Sequence, residues 1–180
     1  MTKNIKRPPL LGFCAWSGTG KTTLLTKLIT FLSASGLQVG VIKHAHHRFD
    51  IDHPGKDSYV LRKAGAKQTL VTSRHRMAWI REIDEEQDEP SLTDAINALD
   101  LEKLDLILVE GFKHEHFPKI ELHRPALGKP LLFPDDKDIF AIACDGPIES
   151  DISARDDLSL LDLNQPEEIA RFVIESTTKK

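Results

Sequence analysis

The sequence predicts an α/β fold, a mostly parallel sheet flanked by helices with β-hairpin additions. Three observations carry that prediction. Leu10–Ala15 is a short continuous apolar run, the pattern of a strand buried on both faces, and it passes through a glycine-rich turn into an amphipathic helix. A second apolar run, Leu104–Val109, ends in Glu110-Gly111. Around these two, strand-like runs and helical stripes follow in the order β-α-β-α-β-β-α-β-(β)-β-β-α, the alternation of an α/β sheet.

Each element has its own warrant. The helix after the turn starts at Lys21; Leu24, Leu25, Leu28, Ile29 and Leu32 form one apolar stripe, and Gly36 stands where a left-handed C-cap belongs. Leu37–Lys43 is the next strand, which completes a right-handed parallel strand–helix–strand unit. Pro54-Gly55 breaks the chain, and Asp57–Ala64 reads as a short helix ended by Gly65. Lys67–Thr72 and Met77–Glu82, joined by Ser73-Arg74-His75-Arg76, read as a hairpin. The acidic stretch Asp84–Pro90 reads as a solvated loop, because its charges repel and proline bars continuation. Ser91, followed by Asp94, marks a capped helix to about Leu99. Lys119–Phe133 contains Pro125, Gly128 and Pro130 and reads as a second hairpin or arm. Ile139–Cys144 is another central strand, Leu158–Leu163 a short one, and Pro166-Glu167-Glu168 opens a closing helix through Glu175. Residues 1–180 thus read as one domain with hairpin arms at about 67–83 and 117–133.

Composition narrows the class. With 24 Lys and Arg against 28 Asp and Glu, the formal net charge is −4, which excludes a protein whose main task is coating nucleic acid. Cys14 and Cys144 each sit inside an apolar run and read as buried thiols in neighbouring strands, a reducing, cytoplasmic pattern. Basic residues before Leu10–Trp16 imitate a signal peptide, but Pro8-Pro9 interrupts the pattern. No apolar run approaches the roughly 20 residues of a membrane span.

The turn after the first strand carries the chemistry. Ala15-Trp16-Ser17-Gly18-Thr19-Gly20-Lys21-Thr22 matches G-x-x-x-x-G-K-[ST] at every defined place but the first, where Ala15 is tolerable if its φ is negative. Flanked by a buried strand and an amphipathic helix, it predicts a P-loop NTPase sheet. Backbone N–H groups of Gly18–Thr22 would converge on phosphates at the helix N-terminus. Lys21 would supply charge to the β- and γ-phosphates, Thr22 would ligate Mg²⁺, and Thr23 would touch the α-phosphate. Glu110, at the carboxyl end of a neighbouring strand, would be the metal-side acid. Asp145, at the carboxyl end of Ile139–Cys144, is placed to accept from guanine N1 and N2. Glu102-Lys103-Leu104-Asp105 resembles a guanine-reading motif but lies at the amino end of its strand. Spacing alone does not choose GTP over ATP.

Lys43-His44-Ala45-His46-His47-Arg48 also projects at the ligand end. It reads as an anion-facing or switch-like segment, with a transition-metal site and a plain surface loop as alternatives. Asp50 and Asp52 follow, as Mg²⁺ ligands or water-positioning groups, Asp52 alternatively as a helix cap. Lys113-His114-Glu115-His116 would face the same mouth from the other side, and two basic rims suit a second polyanionic ligand.

Several of these blocks carry a resemblance. The loop from Ala15 to Thr23, Val41–His47, Asp52–Tyr59 with its Pro-Gly-Lys-Asp-Ser string, Leu61–Ala66 and Leu104–Glu115 together resemble the molybdopterin-guanine dinucleotide biosynthesis protein B family, over about residues 10 to 175. The resemblance implies a GTP-binding protein, weakly hydrolytic, that assists the guanylyltransferase attaching GMP to molybdopterin. It also implies a homodimer through the hairpins. Carried over by position, Ser17–Thr23 become the phosphate loop and Glu110 the metal-side acid; Lys43, His44, Lys56, Asp57 and Arg62 fall in family blocks without assigned roles. Whether molybdopterin binds this chain or only its partner is left open. Nothing in the sequence identifies an arginine finger or catalytic Gln, so hydrolysis should be slow. Two other readings stand: a phosphotransferase with Arg74, Arg76 and Arg81 on a lid-like hairpin, and a nucleotide-dependent adaptor without turnover.

Overall fold

A strand that is apolar at every position needs cover on both faces, and β1 (Leu10–Cys14) receives it at the centre of a six-stranded sheet. The computed structural model describes residues 7–45, 49–84, 89–148, 155 and 157–178. After β1 come α1 (Lys21–Ala34), β2 (Val39–Lys43), α2 (Asp57–Lys63), β3 (Gln68–Thr72), β4 (Met77–Arg81), α3 (Leu92–Asn97), β5 (Leu106–Glu110), β6 (Lys119–His123), β7 (Ile139–Cys144), β8 (Ser159–Asp162) and α4 (Pro166–Thr178). They divide into two compact units, 1–44 with 92–180, and 45–91.

In the larger unit the strand order is β2-β5-β1-β6-β7-β8, with every pairing parallel. Side chains alternate between faces, so Leu11, Phe13, Leu106, Leu108, Ile120 and Leu122 meet Leu24, Leu25, Leu28 and Leu32 of α1 and Ile169 and Val173 of α4. Leu28 is fully buried there, and its truncation to Ala would cost about 2–5 kcal/mol. The other face carries Ile42, Ile107 and Val109 against Leu92 of α3 and Phe117, and Cys14 and Ile142 against Leu131 and Phe133.

Two expectations are corrected. Lys119–His123 is not a hairpin arm but β6, an interior strand paired in parallel with β1 and β7. Its Lys-Ile-Glu-Leu-His alternation imitates a half-exposed strand, yet Lys119, Glu121 and His123 are buried. Partners make this possible: Lys119 Nζ donates to the Glu115 carbonyl at 2.7 Å and to Asp136 at 3.0 Å. Glu121 accepts the N–H groups of Leu132 and Phe133 at 2.8 and 2.9 Å. Residues 125–135, in two 3₁₀ turns, form part of this cover rather than a returning strand. With β6 inserted, Cys14 and Cys144 lie on strands separated by one, not on neighbours. Burial foremost, then Glu121 and Asp136, pushes the Cys14 thiol up to about 12, so it is a packing group and not a nucleophile.

The 45–91 unit holds α2 and the antiparallel hairpin β3–β4, whose register pairs Leu70 with Trp79. Its organising contact is Arg62, buried on α2, which donates to Asp50 at 2.7 Å, to Asp52 at 2.5 Å and to Glu82 at 2.9 Å. The guanidinium therefore ties the segment before α2 to the end of β4. His46, His47, Arg48 and most of the acidic loop, at 85–88, lie outside the described residues.

Candidate functional site

Parallel strands point their carboxyl ends one way, so the loop leaving β1 and the residue ending β5 share an edge; Phe13 is in register with Glu110. The loop turns through Gly18 (φ 83°) and Gly20 (φ 97°), the left-handed region where glycine is at ease. Gly20 is the N-cap of α1 and offers no side-chain cap, which leaves the first-turn N–H groups and the dipole of a 14-residue helix for an anion. Ala15 keeps a φ outside the positive region, so its missing glycine is harmless.

The loop is braced from within. Thr19, nearly fully buried, donates Oγ1–H to the Trp16 carbonyl at 2.8 Å, and the Trp16 indole donates to the Pro130 carbonyl at 2.7 Å. Lys21 Nζ folds back to the Ala15 carbonyl at 3.1 Å. Burial foremost holds the Lys21 ammonium below the ordinary lysine range; Glu110 opposes that, and Lys113 and Lys43 add to it. Lys21, Lys43, Lys113 and Glu110 thus share one electrostatic environment.

Lys43, in ladder register with Glu110, places Nζ 3.2 Å from Glu110 Oε2. Thr22 and Glu110 offer a hydroxyl and a carboxylate, hard oxygen donors. Among the described residues no group of three or more His, Cys, Asp or Glu converges for a metal. That donor set fits Mg²⁺, which takes one or two protein oxygens and completes its shell with water and phosphate. His44 stacks on Phe112 at 4.5 Å, and Phe112 takes a φ of 51° beside Gly111 at 103°. A Cβ at Gly111 would stand 2.5 Å from the His44 Cβ, so this glycine permits the close crossing of the two strand ends.

The second basic rim is only half present. Lys113 acts on Lys21, but His116 Nδ1 lies 2.7 Å from Asp138, which precedes β7 at the opposite edge of the sheet. The reason is topological: a parallel β6 obliges the chain after Glu110 to return to the amino edge, taking His116 with it.

Asp145, expected at the base, is engaged by Arg124, whose Nη1 donates to its carboxylate while Nε donates to the Thr19 carbonyl at 2.8 Å. Arg124 was not among the expected residues. It follows β6 directly, and reading β6 as a hairpin removed the cue that its end reaches the ligand edge. Beside it opens a cavity of about 130 Å³ lined by Gly20, Thr23, Leu24, Lys27, Arg124, Leu163, Asn164 and Pro166. A larger cavity, about 410 Å³, lies between the amino edge and α4 among Pro9, Leu10, Pro118, Phe140 and Asp138; it has a carboxylate and no cation, which suits no phosphate.

The remaining expected residues belong to the 45–91 unit. Asp50 and Asp52 neutralise Arg62 there, Lys56 is the N-cap of α2 and Asp57 its first residue, so Asp52 does not cap that helix. Asp105 of the discounted guanine-like string accepts the Gln38 N–H at the amino edge.

Comparison with known proteins agrees with this architecture. Residues 10–145 match the family model described as molybdopterin guanine dinucleotide synthesis protein B. The chain is 50% identical over 173 residues to a molybdopterin-guanine dinucleotide biosynthesis adapter protein of Escherichia coli, covering 96% of this chain and 95% of that one. It is 43% identical to the adapter protein of Haemophilus influenzae, covering 92% and 87%. A crystal structure of molybdopterin-guanine biosynthesis protein B superposes with a TM-score of 0.69 at 26% identity, over 94% of this chain and 99% of that one. The Bacillus subtilis MobB structure, at 22% identity and a TM-score of 0.70 over 96% and 99%, shares the fold. A glycine-rich loop at the head of a six-stranded parallel sheet, a family model matched over residues 10–145 and 50% identity over 173 residues lead to one conclusion: the chain belongs to the molybdopterin guanine dinucleotide synthesis protein B family.

Proposed function

We propose that this chain is a GTP-binding accessory protein of molybdopterin guanine dinucleotide formation, assisting the guanylyltransferase that joins GMP to molybdopterin. The observation that carries the reading is the phosphate loop with Lys21 inside it and Glu110 on the adjoining strand end, in a chain half identical to a named adapter of that synthesis. First-turn N–H groups and Lys21 would hold the β- and γ-phosphates, and Thr22 with Glu110 would hold Mg²⁺. When bound, Mg²⁺ would supply positive charge that offsets the phosphates. Asp145, whose carboxylate Arg124 engages, would face the base. No catalytic Gln stands in the loop, so hydrolysis by the isolated chain is slow.

The chain acts in the cytoplasm as a homodimer. Supporting the dimer, Leu70, Val71, Met77 and Trp79 of the hairpin and Val60 and Leu61 of α2 are exposed in the 45–91 unit. Sedimentation velocity reads that state directly. The relatives' designation as adapters favours a second reading, in which nucleotide is bound and never turned over. Reconstitution separates them: with guanylyltransferase, molybdopterin and GTP, adding the chain should raise dinucleotide yield and release phosphate slowly. A raised yield with no phosphate selects the second reading. An unchanged yield overturns both.

A further inference from the structure

Lys43 and Glu110 face each other across the carboxyl ends of β2 and β5, Nζ to Oε2 at 3.2 Å. Glu110 retains 16% of its side-chain exposure and Lys43 58%, so the carboxylate is held and the ammonium is free to leave. Glu110, Lys43 and Lys113 all act electrostatically on Lys21, so this carboxylate shares its surroundings with three ammonium groups, of which Lys43 is the one in contact with it. A dication meets net repulsion there, whereas a polyanion meets attraction.

We propose that Lys43 is a positioning residue that stands in for the metal at Glu110: it neutralises the carboxylate until Mg²⁺–nucleotide arrives, then yields it. An exposed lysine pair is weak enough to exchange at little expense. Three properties follow from the charges. Mg²⁺ alone does not bind. Nucleotide binds without metal, because Lys43 masks a carboxylate that would repel it. Losing Lys43 bares Glu110, which repels metal-free nucleotide while remaining available to the Mg²⁺ complex.

This rests on the nucleotide reading above, and the test separates the two. Calorimetry measures the affinity of GTP in EDTA and in Mg²⁺ for wild type, Lys43→Ala, Lys43→Arg and Lys21→Ala. The ratio of the two affinities should be small in wild type, widen about tenfold or more in Lys43→Ala and narrow again in Lys43→Arg. Lys21→Ala should lose both. If Lys43→Ala weakens both affinities equally, or changes neither, the exchange role is overturned while the phosphate site stands. If Lys21→Ala binds both forms like wild type, the nucleotide site falls and this role with it.

Discussion

Arg124 is one side chain with two tasks: its Nε holds the carbonyl of Thr19 inside the phosphate loop, and its Nη1 holds Asp145 at the end of β7. Losing it leaves the loop carbonyl and a carboxylate without their shared donor, at the point where an anion must enter. Arg124→Ala should therefore weaken nucleotide binding about tenfold or more, the scale of a hydrogen bond to a charged group, and lower the melting temperature by a few degrees, since both bonds are made without nucleotide. Fluorescent-nucleotide titration beside a thermal melt checks this; unaltered affinity contradicts it. The places of Lys21 at the head of α1 and Glu110 at the end of β5 were legible in the sequence because a motif and a strand end announce them. Arg124 was not, since its position depends on which strand it follows. Asp50 and Asp52 were legible as charged and misleading as ligands, because the buried Arg62 that claims them sits ten and more residues away.

Among the elements, β6 shows where pattern reading fails. Period-two alternation reports a polar face, and a polar face is ordinarily a wet one. Here that face is covered by 131–136, and backbone N–H groups and carboxylates there answer each buried charge. β1, α1, β2, β5 and the hairpin were legible because their apolar patterns and turn residues agree with their surroundings. Burying Glu121 has a measurable consequence. Burial raises its pKa to about 7 from an ordinary 4.5, so between those values the folded protein holds a proton that the unfolded chain has released. Stability therefore falls as pH rises through that window and levels off above it. His123, held below its usual value by burial, pulls the other way as pH rises towards its unfolded value, so the informative quantity is a difference between proteins. The stability of wild type relative to Glu121→Gln should fall from about pH 5 to about pH 7 in urea denaturation, and a difference independent of pH would contradict the assignment.

At the scale of the whole molecule, a net charge of −4 is compatible with an anion site because the charges are sorted. Lys43 pairs with Glu110, and both act with Lys113 on Lys21, while four carboxylates of the sequence fall together at Asp84–Asp88. Among the described residues no helix is long and apolar enough to cross a membrane. The sequence disclosed the parallel sheet and the phosphate loop; it could not disclose the division into two units, which depends on contacts between distant segments rather than on local pattern. The proposed function requires the loop from Ser17 to Thr23 to hold the phosphates of GTP. Calorimetry with GTP, ATP and their magnesium complexes, on wild type and Lys21→Ala, tests it most directly. GTP should bind more tightly than ATP, and Lys21→Ala should lose binding while keeping its fold. Equal affinity for all four ligands, or undiminished binding by Lys21→Ala, would contradict it.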